Sequence, residues 1–230
     1  MHRFILSAEL SAGEMKIEDR EIIHQIKDVL RLRVGEKIVL SDGQGREAGG
    51  EILELGAKKI IVRLDKIKKN ENEPKRSVVL YCAILKRENF EWVAQKAVEV
   101  GVSKIVPLIT DRTVKGALNM MRLQKIVKEA TEQSGRGIVP MVEKPIEWKK
   151  IITSSPFGQV NLFCHFGGEQ IEKIKVGGKD IGVWVGPEGG WSERESSDAK
   201  EYGFKIVALG NTVLRAETAA TVGGFLAVNL

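Results

Sequence analysis

The sequence predicts an α/β protein in two parts: a small β-rich amino-terminal unit carrying one helix, then a domain built on a mostly parallel sheet with helices on both faces. Three observations predict this. Short apolar runs with the spacing of strands crowd the first part of the chain. A run dense in Lys, Asn and Glu, residues 66–76 with Pro74, has almost no apolar anchor and reads as a linker. Beyond it, apolar strands alternate with amphipathic helices, the pattern of βαβ units. A chain of 230 residues is long enough for one large or two modest domains.

In order along the chain, residues 3–6 read as a strand, 18–30 carry a helical period, and 36–41, 50–55 and 59–64 are further strands. Asp42-Gly43 supplies a tight turn between two of them. After the linker, 78–85 is a continuous apolar strand, and 88–100 places Phe90, Val93, Ala97 and Val100 on one helical face before Gly101 stops it. Residues 104–109 return as a strand. Leu123, Ile126, Val127 and Ala130 mark a second helix, and 160–164 and 181–185 are strands. Ser192 and Glu195 have the spacing of a capping box for a helix reaching Tyr202. A strand at 205–209 and a helix from about Arg215 complete the alternation.

Composition narrows the function. With 43% apolar and 29% charged residues, the chain reads as an ordinary soluble globular protein, neither disordered nor membrane-spanning. The amino terminus turns polar at Ser7 and Glu9, too early for a secretory signal, so a cytoplasmic location is expected. The two cysteines, Cys82 and Cys164, lie in apolar strand-like runs and build neither a disulfide framework nor a zinc ribbon. His2, His24 and His165 have no partners at metal-ligand spacing, and no Gly-x-Ser-x-Gly elbow occurs, which removes support from metalloenzyme and hydrolase readings. A net charge of +5 permits a polyanionic partner without demonstrating one.

Four segments carry candidate chemistry. Residues 43–48 formally match a relaxed dinucleotide fingerprint, but a strand follows where a helix should, so a β-turn explains the glycines better. Gly186-Pro187-Glu188-Gly189-Gly190 leaves a strand and enters the capped helix, the place where open α/β sheets hold ligands; a turn with sterically required glycines is the competing account. Residues 209–219 form a second loop of this kind. There Arg215 and Glu217 stand in a first helical turn, where the dipole favours Glu but not Arg, so Arg215 reads as a ligand contact or else one half of a surface ion pair. Residues 129–136 close the second helix with a polar cluster and Arg136, by themselves a solvated helix end.

Taken together, His2-Arg3-Phe4, residues 29–35, 95–102 and 132–136, Gly186-Pro187-Glu188-Gly189-Gly190 and Leu214-Arg215-Ala216-Glu217-Thr218-Ala219 resemble the RsmE family, within the SPOUT class of knotted methyltransferases. The resemblance covers nearly the whole chain, and the last two segments are its most specific part. It implies a PUA-like β-barrel that helps hold RNA over residues 1–70, and over 71–230 a SPOUT α/β domain whose final segments thread a trefoil knot. It implies S-adenosyl-L-methionine as cofactor, a homodimer, and methylation of a uridine of small-subunit ribosomal RNA on N3. The cofactor would lie on Val185, Gly186, Pro187, Gly190, Leu209, Gly210, Val213, Leu214 and Thr218. One departure stands out: the family often has Arg where this chain has Thr212.

Uridine N3 is protonated at neutral pH, so the chemistry needs in-line alignment and stabilisation of charge spreading onto the uracil oxygens. Arg215 and Arg136 are candidates for the second task, because guanidinium offers fixed paired donors and stays charged. Glu217 is a candidate base, with direct loss of the proton to water as the alternative. RNA would lie over Arg3, Arg31 and Arg33 on the barrel and over Lys86, Arg112 and Arg136 on the catalytic domain. No metal is asked for. The competing class is a non-catalytic RNA-binding ribosome-assembly factor with the same fold. A nucleotide-using enzyme is opposed by the lack of a phosphate-cradling lysine loop. The last helix is apolar almost all round, including Phe225, and its Gly223 and Gly224 would admit a second surface, which points to an isologous dimer.

Overall fold

The computed structural model describes residues 1–114, 117–153, 159–178 and 180–230. The chain forms two compact units, one of Met1–Glu73 with Thr131–Val139 and one of Pro74–Ala130 with Pro140–Leu230.

The first unit is a six-stranded sheet with path β1 (His2–Ile5), β3 (Lys37–Ser41), β4 (Arg46–Leu55), β5 (Ile60–Leu64), β2 (Gly13–Ile17), with β6 (Lys68–Lys69) pairing β4. β1 runs parallel to β3 and the other pairings are antiparallel. Asp19 caps α1 (Arg20–His24), its Oδ1 accepting the amides of Glu21 and Ile22, and the helix widens into a π-helical turn over Gln25–Val29. Ile22 and Ile26 from this helix pack on Ile38, Leu40, Ile52 and Ile60, all buried. β4 begins four residues earlier than expected because Arg46, Glu47 and Gly49 interrupt the apolar pattern there. A Cβ on Gly50 would stand 2.7 Å from Leu64 and 2.8 Å from the Arg63 carbonyl oxygen, so the glycine is there for close packing. Between β3 and β4, Gly43 and Gly45 have φ of 67° and 102°, and a strand does follow, as a turn requires and a dinucleotide loop does not.

The run expected to be a linker is in part structural. β6 lies inside it, and Asn70, only 3% exposed, donates from Nδ2 to Glu47 Oε2 (2.6 Å) and to the Gly135 carbonyl (3.1 Å). Glu73 accepts the amides of Gly137 (2.8 Å) and Ile138 (2.9 Å) on one oxygen and pairs with Arg136 on the other. The compact unit therefore ends at Glu73 rather than at residue 70, and it recruits Thr131–Val139 from far along the chain. Polar side chains anchor what an apolar scan reads as unanchored.

The second unit holds a seven-stranded sheet in the order β10 (Ile146–Glu147), β8 (Lys104–Ile109), β7 (Val78–Ala83), β12 (Ile181–Val185), β11 (Val160–Gln170), β13 (Lys205–Ala208), with β9 (Met141–Val142) on β8. Every pairing among the described residues is parallel. Tyr81 and Trp184 face each other across β7 and β12 and stack at 3.8 Å, opening an aromatic layer that takes in Trp148, Phe163, Trp191 and Phe204. α4 (Trp148–Thr153) and α5 (Glu193–Glu201) close that face. α4 is too short for its period to show. On the opposite face α6 (Ala216–Asn229) packs against β7, β12 and α2 (Arg87–Glu99). Its glycines serve this contact: a Cβ on Gly223 would lie 3.1 Å from Val183, and one on Gly224 would lie 3.1 Å from Val102. The close approach expected of a second surface at these two positions is thus made by the chain's own sheet and by Val102. α3 (Met120–Ser134) links the two units.

Candidate active site

Because the sheet is parallel, the carboxyl ends of its strands share one edge, and the loops leaving them converge there. They line a cleft of about 940 Å³. From β12 come Val185 to Trp191; from the segment after β13 come Val213 and Leu214, then Arg215, Ala216, Glu217 and Ala219 at the start of α6. Arg112 and Val114 follow β8, and Lys86 and Asn89 stand at the start of α2. A second cavity of about 110 Å³ shares Cys164, His165, Phe166, Val213 and Leu214 with the first and adds Leu209, Gly210 and Thr212.

The glycines of the two loops have local reasons. A Cβ on Gly186 would stand 3.0–3.1 Å from the Trp191 indole, whereas Gly190 (φ 70°) and Gly210 (φ 147°) hold backbone angles that side chains disfavour and face open space. Steric need therefore accounts for Gly186, and turn geometry for the other two. Arg215 is the residue before α6 rather than part of its first turn, with extended backbone and a carbonyl that accepts the Ala219 amide at 2.8 Å. At the N-cap the guanidinium still stands at the positive end of the helix dipole, so the helix gives it no stabilisation, and it lines the cleft. Neither the Arg215 guanidinium nor the Glu217 carboxylate makes a hydrogen bond or ion pair with a described residue, although both line the cleft. Thr218, one position on, is not among the residues lining either cavity.

Several lining residues carried no signal in the sequence. Cys164 stands where both cavities meet, and burial pushes its thiol up to about 12, so it remains protonated at neutral pH. Cys82 is likewise raised, first by burial and then by the charges of neighbouring groups. Trp191 donates from Nε1 to the Cys164 carbonyl (3.1 Å) and stacks on Phe163 at 4.5 Å, which ties the end of β11 to the glycine loop. Its place directly after Gly190 was the one available hint. β11 also runs past its expected end at Cys164, and His165 and Phe166 stand in the excursion that follows.

The remaining candidates lie in the first unit, and Arg136, expected on the catalytic domain, is among them because residues 131–139 are recruited there. Arg3 is ion-paired with Glu47, and Arg136 is 4% exposed with Nη2 2.9 Å from Glu73 Oε2. Arg31 and Arg33 are exposed, Arg31 with a positive φ of 54°. Burial raises the Glu47 carboxyl, but the hydrogen bonds from Arg3 and Asn70 and the charges of Arg3 and Lys68 outweigh it and leave the group below the usual range. The structure therefore brings Arg215, Glu217, Lys86 and Arg112 together and gives Arg3 and Arg136 structural partners of their own.

Comparison with known proteins agrees with this geometry. Residues 71–224 match the model of an RNA methyltransferase domain and residues 17–65 that of an RNA methyltransferase PUA domain. The chain is 33% identical over 229 residues to the ribosomal RNA small subunit methyltransferase E of Rickettsia conorii, an alignment covering 95% of this chain and 91% of the relative. The crystal structure of the corresponding enzyme from Neisseria gonorrhoeae, bound to S-adenosyl methionine, superposes with a TM-score of 0.91 at 32% identity over 97% of this chain and 95% of that one. A putative methyltransferase from Legionella pneumophila, also in complex with S-adenosylmethionine, gives 0.88 at 29% identity, covering 96% and 94%. With a PUA-like unit, a parallel-sheet domain and a cleft at its carboxyl edge, the chain belongs to the ribosomal RNA small subunit methyltransferase E family.

Proposed function

We propose that this protein is an S-adenosylmethionine-dependent methyltransferase that modifies N3 of a uridine in small-subunit ribosomal RNA. The observation that carries the reading is the cleft at the sheet's carboxyl edge, where the Arg215 and Glu217 side chains engage no described residue and stand beside two ligand-type loops. The residues present fit the cofactor. Small-molecule sites commonly enclose roughly 300–1,000 Å³, and this cleft holds about 940 Å³. Glu188 and Glu217 offer negative charge to a sulfonium and an amino group, and the proposed cofactor residues on both loops supply backbone donors and acceptors.

When bound, the cofactor supplies an electrophilic methyl group on a positively charged sulfur. Arg215 presents paired donors where charge develops on the uracil oxygens, which favours the deprotonated base. Glu217 accepts the N3 proton, or the proton passes to water once Arg215 has acidified the site. Cys164, held as the thiol, does not compete as a nucleophile. Lys86 and Arg112 meet the RNA backbone at the rim, with Arg31 and Arg33 of the PUA-like unit contributing further positive charge.

The reading extends to a homodimer and to the trefoil knot of the SPOUT class. For the dimer the support is Phe225, 54% exposed on α6 and lining a cavity of about 680 Å³ with Pro74, Val100 and Val228. Among the described residues no helix is long and apolar enough to cross a membrane, and the proposed substrate places the protein in the cytoplasm.

The test is methylation of small ribosomal subunits with isotopically labelled cofactor, followed by nucleoside mass spectrometry. The expected product is 3-methyluridine. Label on a ribose or on another base would overturn the position assigned, and a chain that binds RNA but not the cofactor would restore the assembly-factor reading.

A further inference from the structure

Arg112, which the proposed function places at the RNA-facing rim, stands on a short turn held from behind by a fully buried carboxylate. Thr110 and Thr113 close that turn: the Thr110 amide donates to Thr113 Oγ1 (2.9 Å) and the Thr113 amide to the Thr110 carbonyl (3.2 Å). Between them, the Asp111 amide donates to Glu195 Oε1 at 2.9 Å, and the other oxygen of Glu195 accepts the Ser192 amide at 2.8 Å. Glu195 is 0% exposed. The link is doubled, because Ser192 Oγ donates to Asp111 Oδ2 at 2.7 Å and Arg194 pairs with Asp111 Oδ1 at 2.5 Å. From the front, Arg112 Nη1 donates to the Gly189 carbonyl at 2.8 Å, so the ring of contacts returns to the glycine loop.

A helix cap needs only the Ser192–Glu195 reciprocal pair. Here the same carboxylate has a second duty, since its Oε1 satisfies a backbone amide from a different strand's loop. Burying a charge at this position is costly unless it is hydrogen-bonded, and one backbone donor meets each oxygen of Glu195, while two side-chain donors meet the exposed Asp111.

We infer that Glu195 is a positioning residue for RNA: through the Asp111 amide it fixes the 110–113 turn, and so holds Arg112 over the cleft beside the glycine loop. The inference rests on the reading of Arg112 as an RNA contact. Replacing Glu195 by Gln tests it, because the amide keeps one acceptor oxygen and turns a donor toward the second N–H, so that one of the two loops loses its anchor.

Three measurements on the full-length protein decide the matter. Hydrogen exchange in peptides covering residues 110–114 should speed up in Glu195→Gln. KM for small ribosomal subunits and their dissociation constant should both rise about tenfold, while kcat and S-adenosylmethionine affinity stay within about twofold. In a double-mutant cycle with Arg112→Ala, the two substitutions together should weaken RNA binding no more than Arg112→Ala alone. Unchanged exchange in the turn, or strictly additive effects on RNA affinity, would overturn the inference. Faster exchange with RNA affinity intact in Arg112→Ala would instead overturn the assignment of Arg112 on which it rests. Should Glu195→Gln fail to fold, Ser192→Ala takes its place: it removes the hydroxyl link to Asp111, leaves the carboxylate, and should give a smaller rise in KM with the same non-additivity. An unchanged KM there would count against the brace.

Discussion

Two sets of charged residues, one in each unit, are handled in opposite ways. In the first, Arg3, Arg136, Glu47, Glu73 and Asn70 satisfy one another inside the unit, where they hold a recruited segment against the sheet. In the second, Arg215 and Glu217 line an open cleft and make no ion pair with a described residue. A charge that is buried and paired is costly to remove, because its partner is left stranded in a poorly solvated place. A charge left unengaged at an opening contributes little to the fold and is available to a ligand. Substitutions of the same residue type should therefore be read out as unfolding in the first set and as lost turnover in the second.

The sharpest test of that contrast is Arg215→Ala. It should lower kcat by roughly 100- to 1,000-fold, with the thermal midpoint and S-adenosylmethionine affinity nearly unchanged by calorimetry. Full methylation by this variant would remove Arg215 from the mechanism. Arg136→Ala should behave in the reverse manner, costing roughly 3 kcal/mol in urea unfolding because Glu73 keeps its charge and loses its partner. If the variant is as stable as the parent yet inactive, Arg136 belongs with Arg215 after all.

A smaller effect is expected where the second unit exposes apolar surface. Phe225→Glu should leave the chain folded but shift it to monomers in sedimentation velocity, with reduced activity. A parent protein that sediments as a monomer at full activity would instead make the cleft complete within one chain. The mildest expectation concerns pH. The Glu47 carboxyl is held below its ordinary value of 4.5, so its contribution to stability is present above that pH and is lost progressively as the pH falls below about 4.5 toward the lowered value. Glu47→Gln should be less stable at neutral pH and show a flatter decline on acidification, measured as unfolding midpoints between about pH 6 and pH 3.

Much of this molecule is legible in its sequence. The strands Lys104–Ile109 and Ile181–Val185 carry unbroken apolar runs and fall where expected, and the capping box at Ser192 forms as its spacing requires. Both loops of the cleft were identifiable because strand, glycines and helix followed in order. What stayed hidden shares one property: its signal depends on residues distant in the chain. Asn70 and Glu73 look like linker residues until Gly135 and Gly137 reach them. Cys164 looks like strand filler until β13 and the glycine loop turn it into a wall of two cavities. Glu195 shows its cap in the sequence and conceals its bond to Asp111, eighty-four positions away. β2 has only Met15 and Ile17 as buried alternating positions, too few to stand out as a period.

The excursion in β11 leaves the rim of this cleft free to vary. Cys164 and Glu169 both pair with Val207 of β13, so the strand leaves the ladder, makes a loop and rejoins its neighbour at the same place. Gly168 permits the return, since a Cβ there would lie 2.7 Å from the Val207 backbone. The loop is thus clamped at its base by the sheet, and its two ends are already together whatever lies between. Lengthening such a loop adds little closure entropy, about 0.6 kcal/mol for a doubling, and moves no register elsewhere. His165 and Phe166 stand in that interval at the rim of the cleft. The tip can therefore be exchanged or extended, and with it the surface offered to a substrate, while the strands on either side stay where they are.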